Sequence, residues 1–234
     1  MSDLFVNIQL NFQTLDRYII RKAIFRALNN KIYLMQGALL DVGCGKMPYR
    51  NYILENSKVT NYTGIDIEAA LIYDEGVTPD YYWDGIQIPF NDNSYDCVIA
   101  TEVLEHCPVP ETVLKEIFRV LKPGGVFFYT VPFLWNLHEV PHDEYRYTPF
   151  SLERHLKTIG FNSIQLNATG GWHAAMAQML GLWVKRSGIS QKKQKVLAKL
   201  IKPIMIKLLK MDDSDKVTFK EGQMITGLSG VAYK

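Results

Sequence analysis

Near the start of the chain, apolar residues recur at helical spacing, at Leu15, Tyr18, Ile19, Ala23, Ile24 and Leu28, with Arg17, Arg21, Lys22 and Arg26 between them. This pattern predicts an amphipathic helix over residues 14–29. Short apolar runs follow. Residues 37–42 (GALLDV) end in glycines and read as a buried strand running into a turn. Residues 61–67 (NYTGIDI), 95–100 (YDCVIA) and 126–131 (VFFYTV) read as further strands, the first of them with a carboxylate at its tip. Residues 112–120 read as a helix stopped by Lys122-Pro123-Gly124-Gly125. Residues 151–160 read as a helix capped by Thr148 or Ser151 and closed by Gly160. Residues 161–166 and 227–233 complete the strands. Strands alternate with helices from 37 to 166, which predicts an α/β fold: a doubly wound, mostly parallel sheet with helices on both faces. Ligands in such sheets bind at the carboxyl ends of the strands.

Composition narrows the class. The chain has 234 residues, 47% hydrophobic and 21% charged, enough to bury a large core and too apolar for general disorder. That length suits one domain, divided here into a capping region (1–36), a ligand-binding core (37–166), a helical insertion (167–220) and a final strand (221–234). Three scattered cysteines make no disulfide framework. No signal peptide pattern opens the sequence and no long apolar window follows, so the expectation is a cytoplasmic protein.

The formal net charge of +2 conceals an uneven distribution. Residues 185–210 carry nine basic and no acidic side chains, against 17 basic and 24 acidic elsewhere. On a helical wheel Val196, Leu197, Leu200, Ile201, Ile204, Met205 and Leu208 share one face, and most lysines lie opposite. Pro203 is expected to kink this helix or start another. Peripheral contact with an anionic membrane, a lid or dimer contact, and an ordinary packed helix with a solvated lysine face all fit. Nucleic acid is not expected, because no aromatics interleave with the lysines. Oligomeric state stays open.

The densest chemical signal is the turn Asp41-Val42-Gly43-Cys44-Gly45-Lys46-Met47-Pro48. Gly43 and Gly45 let the backbone turn tightly against a ligand. Asp66 follows 23 residues after Gly43, where a carboxylate accepts from ribose hydroxyls. Both features also suit a nicotinamide dinucleotide. Pro48 in place of a third glycine, and Asp41 before the turn, argue against a pyrophosphate and for a cationic ligand.

The set LLDVGCGKMPY, YTGIDI, WDGIQIPF, YDCVIATEVLEH and LKPGG, over residues 37–135, resembles the class I S-adenosylmethionine-dependent methyltransferases of type 11. That resemblance implies a Rossmann-like, seven-stranded sheet with the helical insertion before its last strand. It also implies S-adenosyl-L-methionine as cofactor and S-adenosyl-L-homocysteine as product. Asp41, Gly43, Cys44 and Gly45 would hold the methionine end. Asp66 would take the ribose, Ile67 the adenine face, and Asp84 with Gly85 the adenine amino group. Thr101 and Glu102 would border the sulfonium. Lys46-Met47-Pro48 departs from the pattern, since many relatives carry another glycine there.

Residues 133–149 (FLWNLHEVPHDEYRYTP) concentrate histidines, acids and aromatics past the fifth strand. HDEYRYTP resembles a subgroup associated with glycan and surface-polysaccharide assembly. A hydroxyl acceptor benefits from a general base, for which His142 ranks first and His138 second, with Asp143 or Glu139 as orienters. Arg146 is placed to bind an anionic substrate group, and Tyr145 and Tyr147 to stack on a ring. Arg146 paired only with a nearby acid is the plainer reading. Zinc on His138 and His142 is not expected, because Pro141 interrupts the helix that such spacing needs. His106 reads as a helix-face residue. Gly170–Met176 is a candidate lining of the acceptor pocket. The expectation is methyl transfer to a hydroxyl of a sugar, lipid-linked glycan or small metabolite. The alternatives are a cofactor-binding regulatory protein without activity, or a nicotinamide oxidoreductase.

Overall fold

A computed structural model describes residues 4–68 and 77–234. The strands are β1 (Gln36–Val42), β2 (Lys58–Ile67), β3 (Tyr81–Trp83), β4 (Tyr95–Thr101), β5 (Leu121–Pro132), β6 (Asn162–Ala168) and β7 (Gly227–Tyr233). They form one sheet in the order β3-β2-β1-β4-β5-β7-β6. All pairs from β3 to β5 are parallel, and β7 runs antiparallel to β5 and β6. This is the mostly parallel, seven-stranded, Rossmann-like sheet expected. The helices are α1 (Tyr18–Lys31), α2 (Arg50–Asn56), α3 (Pro110–Val120), α4 (Pro149–Ile159), α5 (Trp172–Arg186) and α6 (Gln191–Met211).

Side-chain alternation divides the core. Leu40, Val42, Val98, Phe127 and Tyr129 pack on the side of α3 and α4. Leu39, Cys97, Ile99 and Phe128 pack on the other side, with Ile20, Ile24 and Leu28 of α1 and Ile53 of α2. Successive strand residues face opposite sides, so a strand covered on both faces reads as an unbroken apolar run. That is why VFFYTV was legible.

Thr148 caps α4 by accepting the Ser151 N–H at 3.2 Å, Pro149 takes the first turn, and Gly160 closes the helix at φ 116°. The insertion holds α5 and α6, which share a small core. Ala174, Ala177 and Val184 meet Ala198, Ile201 and Met205, together with Leu15 and Ile19 from the N-terminal region. Helix α6 runs through Pro203 as one helix, so no second helix starts there. Ile201 and Met205 on either side of the proline are buried, so packing outweighs the lost backbone bond. Among the described residues no helix is long and apolar enough to cross a membrane.

Candidate active site

Strand order reverses between β1 and β4, so their carboxyl ends open a crevice. The glycine turn lies there. Gly43 has φ 65°, and a Cβ at that position would lie 2.6 Å from a Val103 methyl. Only glycine meets both conditions. The Cys44 N–H donates to the Ile65 carbonyl at 3.0 Å, which ties the turn to β2. The Gly45 N–H donates to Asp66 Oδ2 at 2.8 Å, and the Ile67 N–H to Asp66 Oδ1 at 2.8 Å. Asp66 is thereby fixed at the tip of β2 beside the turn, and burial raises its carboxyl above the ordinary range. Met47 sits at φ 49°, a conformation that glycine adopts more cheaply.

Asp41 is buried at the end of β1. The Tyr62 hydroxyl donates to its Oδ2, while Oδ1 is buried with no hydrogen-bond partner. Burial pushes this carboxyl up to about 7. An unpartnered buried acceptor is what a cationic ligand would complete. The sites of Asp41, the Gly43–Gly45 backbone and Asp66 therefore fit a cofactor with an ammonium group and a ribose.

Ile67 is an exposed apolar side chain at the tip of β2. A Cβ on Gly85 (φ 77°) would sit 3.6 Å from Ile67 Cγ2, so the two residues border one slot. Asp84 Oδ1 accepts the N–H groups of Ile86 and Gln87, at 2.8 and 2.7 Å. These bonds hold its carboxyl below the ordinary range. Asp84 thus builds the turn that forms this slot.

Thr101 ends β4 opposite Thr130. Glu102 follows at φ 57°, its N–H donating to the Thr130 carbonyl at 3.0 Å and its carboxylate accepting the Thr130 hydroxyl at 2.8 Å. Burial pushes its carboxyl up to about 7. Met47, Glu102 and Glu139 (φ 49°) all lie at positive φ around this crevice. Such strain persists where surrounding contacts enforce it, often at functional sites.

Beyond Glu102 a single 3-10 turn, Leu104–His106, carries Glu105 and His106. Glu105 is wholly buried, and neither carboxylate oxygen has a hydrogen-bond partner. Burial, then the charge of Glu102, raises its carboxyl well above the ordinary range. His106 Nε2 lies 3.8 Å from Glu105 Oε1 and 3.8 Å from Glu139 Oε2. The His106 and His138 rings meet edge-to-face at 4.7 Å. His138 Nδ1 is 3.2 Å from Asp143 Oδ2, and burial lowers the His138 pKa. Sequence reading took His106 for a helix-face residue and passed over Glu105. The signal was an adjacent acid and histidine in the turn that follows a buried strand.

The other acceptor-side candidates separate. His142 is exposed, and its backbone carbonyl, 2.8 Å from His106 Nδ1, is what reaches the cluster. Arg146 donates to both Asp143 oxygens at 2.6 and 2.8 Å, and to the Tyr145 and Asn136 carbonyls. That pairing holds the Asp143 carboxyl down at about 2. Arg146 is therefore a clamp within its own loop, the plainer of the two readings. Tyr147 is buried, with its hydroxyl on the Leu104 carbonyl at 2.9 Å, which corrects its expected role in stacking on a ligand. Tyr145 stays exposed and stacks on Tyr147.

Helix α5 turns Trp172, Met176, Met179 and Trp183 outward, so Trp172 and Met176 do not line a buried pocket. Helix α6 exposes Val196, Leu200 and Ile204, while Ala198, Ile201 and Met205 are buried in the core and Leu197, Leu208 and Leu209 pack against it partly buried. Two of the nine basic residues are engaged elsewhere. Arg186 pairs with buried Asp16 at 2.7 Å, and Lys185 lies 4.0 Å over the Phe12 ring. A separate cleft of about 190 Å³ lies between α1 and the β6–β7 edge, lined by Arg26, Asn30, Asn167, Thr169 and Ser229 among others. It shares no lining residue with the crevice described above.

Residues 40–129 match the family described as a methyltransferase domain. Over 98 residues the chain is 43% identical to a sterol 24-C-methyltransferase of Aspergillus fumigatus, covering 38% of this chain and 26% of that protein. Over 105 residues it is 30% identical to a fatty-acid O-methyltransferase of Mycolicibacterium smegmatis, covering 39% and 36%. The chain thus spans about a quarter to a third of these curated relatives. A solved S-adenosylmethionine-dependent methyltransferase from Archaeoglobus fulgidus superposes with TM-score 0.56 at 17% identity, covering 94% of this chain and all of that one. That likeness is one of fold.

Proposed function

We propose that this chain, which carries a class I S-adenosylmethionine-dependent methyltransferase domain, transfers a methyl group to a hydroxyl of a lipid-borne acceptor at an anionic membrane surface. The observation that carries the transferase reading is the unpartnered Oδ1 of Asp41 beside a glycine turn that Asp66 closes from β2. S-adenosylmethionine, when bound, supplies a methyl group on a sulfonium, and displacement by an acceptor oxygen leaves S-adenosylhomocysteine.

The chain's part is binding, alignment and exclusion of water, because the leaving group is already good. Asp41 would hold the ammonium with the backbone of Gly43, Cys44 and Gly45. Asp66 would accept from the ribose hydroxyls, with Ile67, Asp84 and Gly85 forming the adenine slot. Thr101 and Glu102 would border the reacting methyl. The acceptor hydroxyl enters from the side of Glu105, His106 and His138, and its proton leaves to solvent at the exposed rim. The His142 ring stands outside this cluster, so the general-base role expected of it is not proposed. Arg146 acts by holding Asp143 and the loop, so the anion-binding role is assigned to the insertion.

Support for a lipid-borne acceptor comes from α5 and α6. Trp183 is 47% exposed and Leu200 62%, on a helix pair whose second member carries seven lysines and no acid. Exposed large apolar side chains beside lysines suit an anionic bilayer surface. Two matched relatives are named for methylating lipids, a sterol at carbon 24 and a fatty acid at oxygen, which supports a lipid acceptor; the second supports oxygen as the accepting atom.

The test offers tritiated S-adenosylmethionine with membrane lipid extract and, separately, with nucleotide sugars. Label in the organic phase is expected. Label only in water-soluble sugar would overturn the lipid assignment, and cofactor binding without label in either would favour a regulatory binder.

A further inference from the structure

We infer that Glu105, His106 and His138 form a binding site for a divalent first-row transition cation that holds an oxygen of the acceptor; the acceptor role rests on the transferase reading above.

Three observations converge. The first is Glu105, whose wholly buried carboxylate lacks a hydrogen-bond partner on either oxygen. A buried carboxylate needs a counter-charge or a donor. The nearby guanidinium of Arg146 is committed to both oxygens of Asp143. His106 Nε2, at 3.8 Å from Oε1, is too far for a hydrogen bond. That separation suits two ligands of one ion instead, since donor atoms about 2 Å from a metal stand roughly 3 to 4 Å apart.

The second is the orientation of His106. Its Nδ1 lies 2.8 Å from the His142 carbonyl, which can only accept, so Nδ1 carries the hydrogen. In the neutral ring Nε2 then presents its lone pair toward Glu105 and Glu139. A backbone carbonyl fixing the far nitrogen is the usual support of a metal-bound histidine.

The third is His138. One donor atom from each of Glu105, His106 and His138 lies within 4.8 Å of the others. His138 Nδ1 stands 3.2 Å from Asp143 Oδ2 and is left without a hydrogen-bond partner, while the His138 backbone N–H donates to that same oxygen at 3.1 Å. Asp143 is itself held by Arg146, so the Asp143–Arg146 clamp positions the backbone that carries the second ligand. Glu139 Oε2, 3.8 Å from His106 Nε2, stands at the rim as a further oxygen donor. The histidines come from two separate loops, so Pro141 is no obstacle. Two imidazoles with carboxylate oxygen suit Zn²⁺, Fe²⁺ or Mn²⁺ better than Mg²⁺ or Ca²⁺.

The experiment titrates chelator-treated full-length protein with Mn²⁺, followed by loss of the free-ion electron paramagnetic resonance signal, and with Zn²⁺ by calorimetry. Wild type, Glu105→Gln and His138→Ala are compared, and S-adenosylhomocysteine affinity is measured on each sample. One ion per wild-type chain is expected, weakened roughly ten-fold or more in both variants, with homocysteine-product affinity retained. No ion bound by wild type that still binds S-adenosylhomocysteine overturns the site, as does wild-type ion affinity in both variants. Ion binding that depends on Glu105, without S-adenosylhomocysteine binding, upholds the site and removes the transferase reading instead.

Discussion

The carboxylate of Asp66 at the end of β2 accepts the backbone N–H of Gly45 at 2.8 Å, so one acid both closes the glycine turn and faces the cofactor crevice. Asp66→Ala removes that bond together with the acceptors proposed for the ribose. Hydrogen bonds to a charged group contribute about 1.5–3 kcal/mol, so S-adenosylhomocysteine affinity is expected to fall roughly ten- to a hundred-fold. Calorimetry on the purified variant checks this, and unchanged affinity would remove Asp66 from the site.

Asp41 predicts a pH dependence. Its carboxyl lies at about 7 in the free protein, because burial disfavours the charge. The proposed ligand ammonium favours the ionised form. Below about 7, binding must therefore release a proton. Affinity should rise as pH increases through 7 and level off above it. For folding the sign is opposite: the native chain keeps a proton that the unfolded chain loses near 4, so this group's contribution to stability falls as pH rises from about 4 to 7. Calorimetry in buffers of different ionisation enthalpy reads the proton release. Asp41→Asn should abolish it, and equal release in the variant would assign it elsewhere.

Gly43→Ala should separate strain from contact. The added Cβ meets Val103 at 2.6 Å, and φ 65° strains any alanine. A loss of about 2 kcal/mol, seen as a drop of roughly 4–8 °C in Tm, is expected together with weakened cofactor binding. Val103→Ala in the same chain should return part of that Tm, since it relieves the clash and leaves the strained φ. No recovery would mean that strain alone sets the cost.

His142→Ala should leave kcat and S-adenosylhomocysteine affinity nearly unchanged, because its ring stands outside the cluster and only its backbone carbonyl reaches it. A loss of about a hundred-fold in kcat would make the ring the proton acceptor after all.

Vesicle binding tests α5 and α6. Replacing Trp183 and Leu200 together with serine should weaken binding to vesicles containing anionic lipid by roughly ten-fold or more, since each buried large apolar side chain contributes about 1.5–3 kcal/mol. Added salt should weaken it as well. Binding that ignores both changes would return the insertion to a packed helix pair with a solvated lysine face.

The sequence spoke most clearly where backbone and core demand particular residues. The apolar runs marked β1, β2, β4 and β5 because each is covered on both faces. Gly43, Gly45 and Asp66 were legible because a tight turn at a strand tip admits few alternatives. Helix α2 and the three-residue β3 were missed, being too short to show a period. The acceptor side was harder to read for a different reason. His106 and His138 are 32 residues apart in sequence and meet only through the fold, and Glu105 gains its meaning from a burial that no local pattern announces. Position in sequence ranked His142 over His138, whereas geometry gives His138 the contacts and leaves the His142 ring outside. The wheel of α6 was drawn correctly, but it could not show that the core would cover only half of the apolar face.

The most direct measurement is calorimetric titration of the wild-type chain with S-adenosylhomocysteine and, in parallel, with NAD. One S-adenosylhomocysteine per chain, with no NAD bound, is the predicted result. NAD bound in the absence of S-adenosylhomocysteine binding would contradict the account.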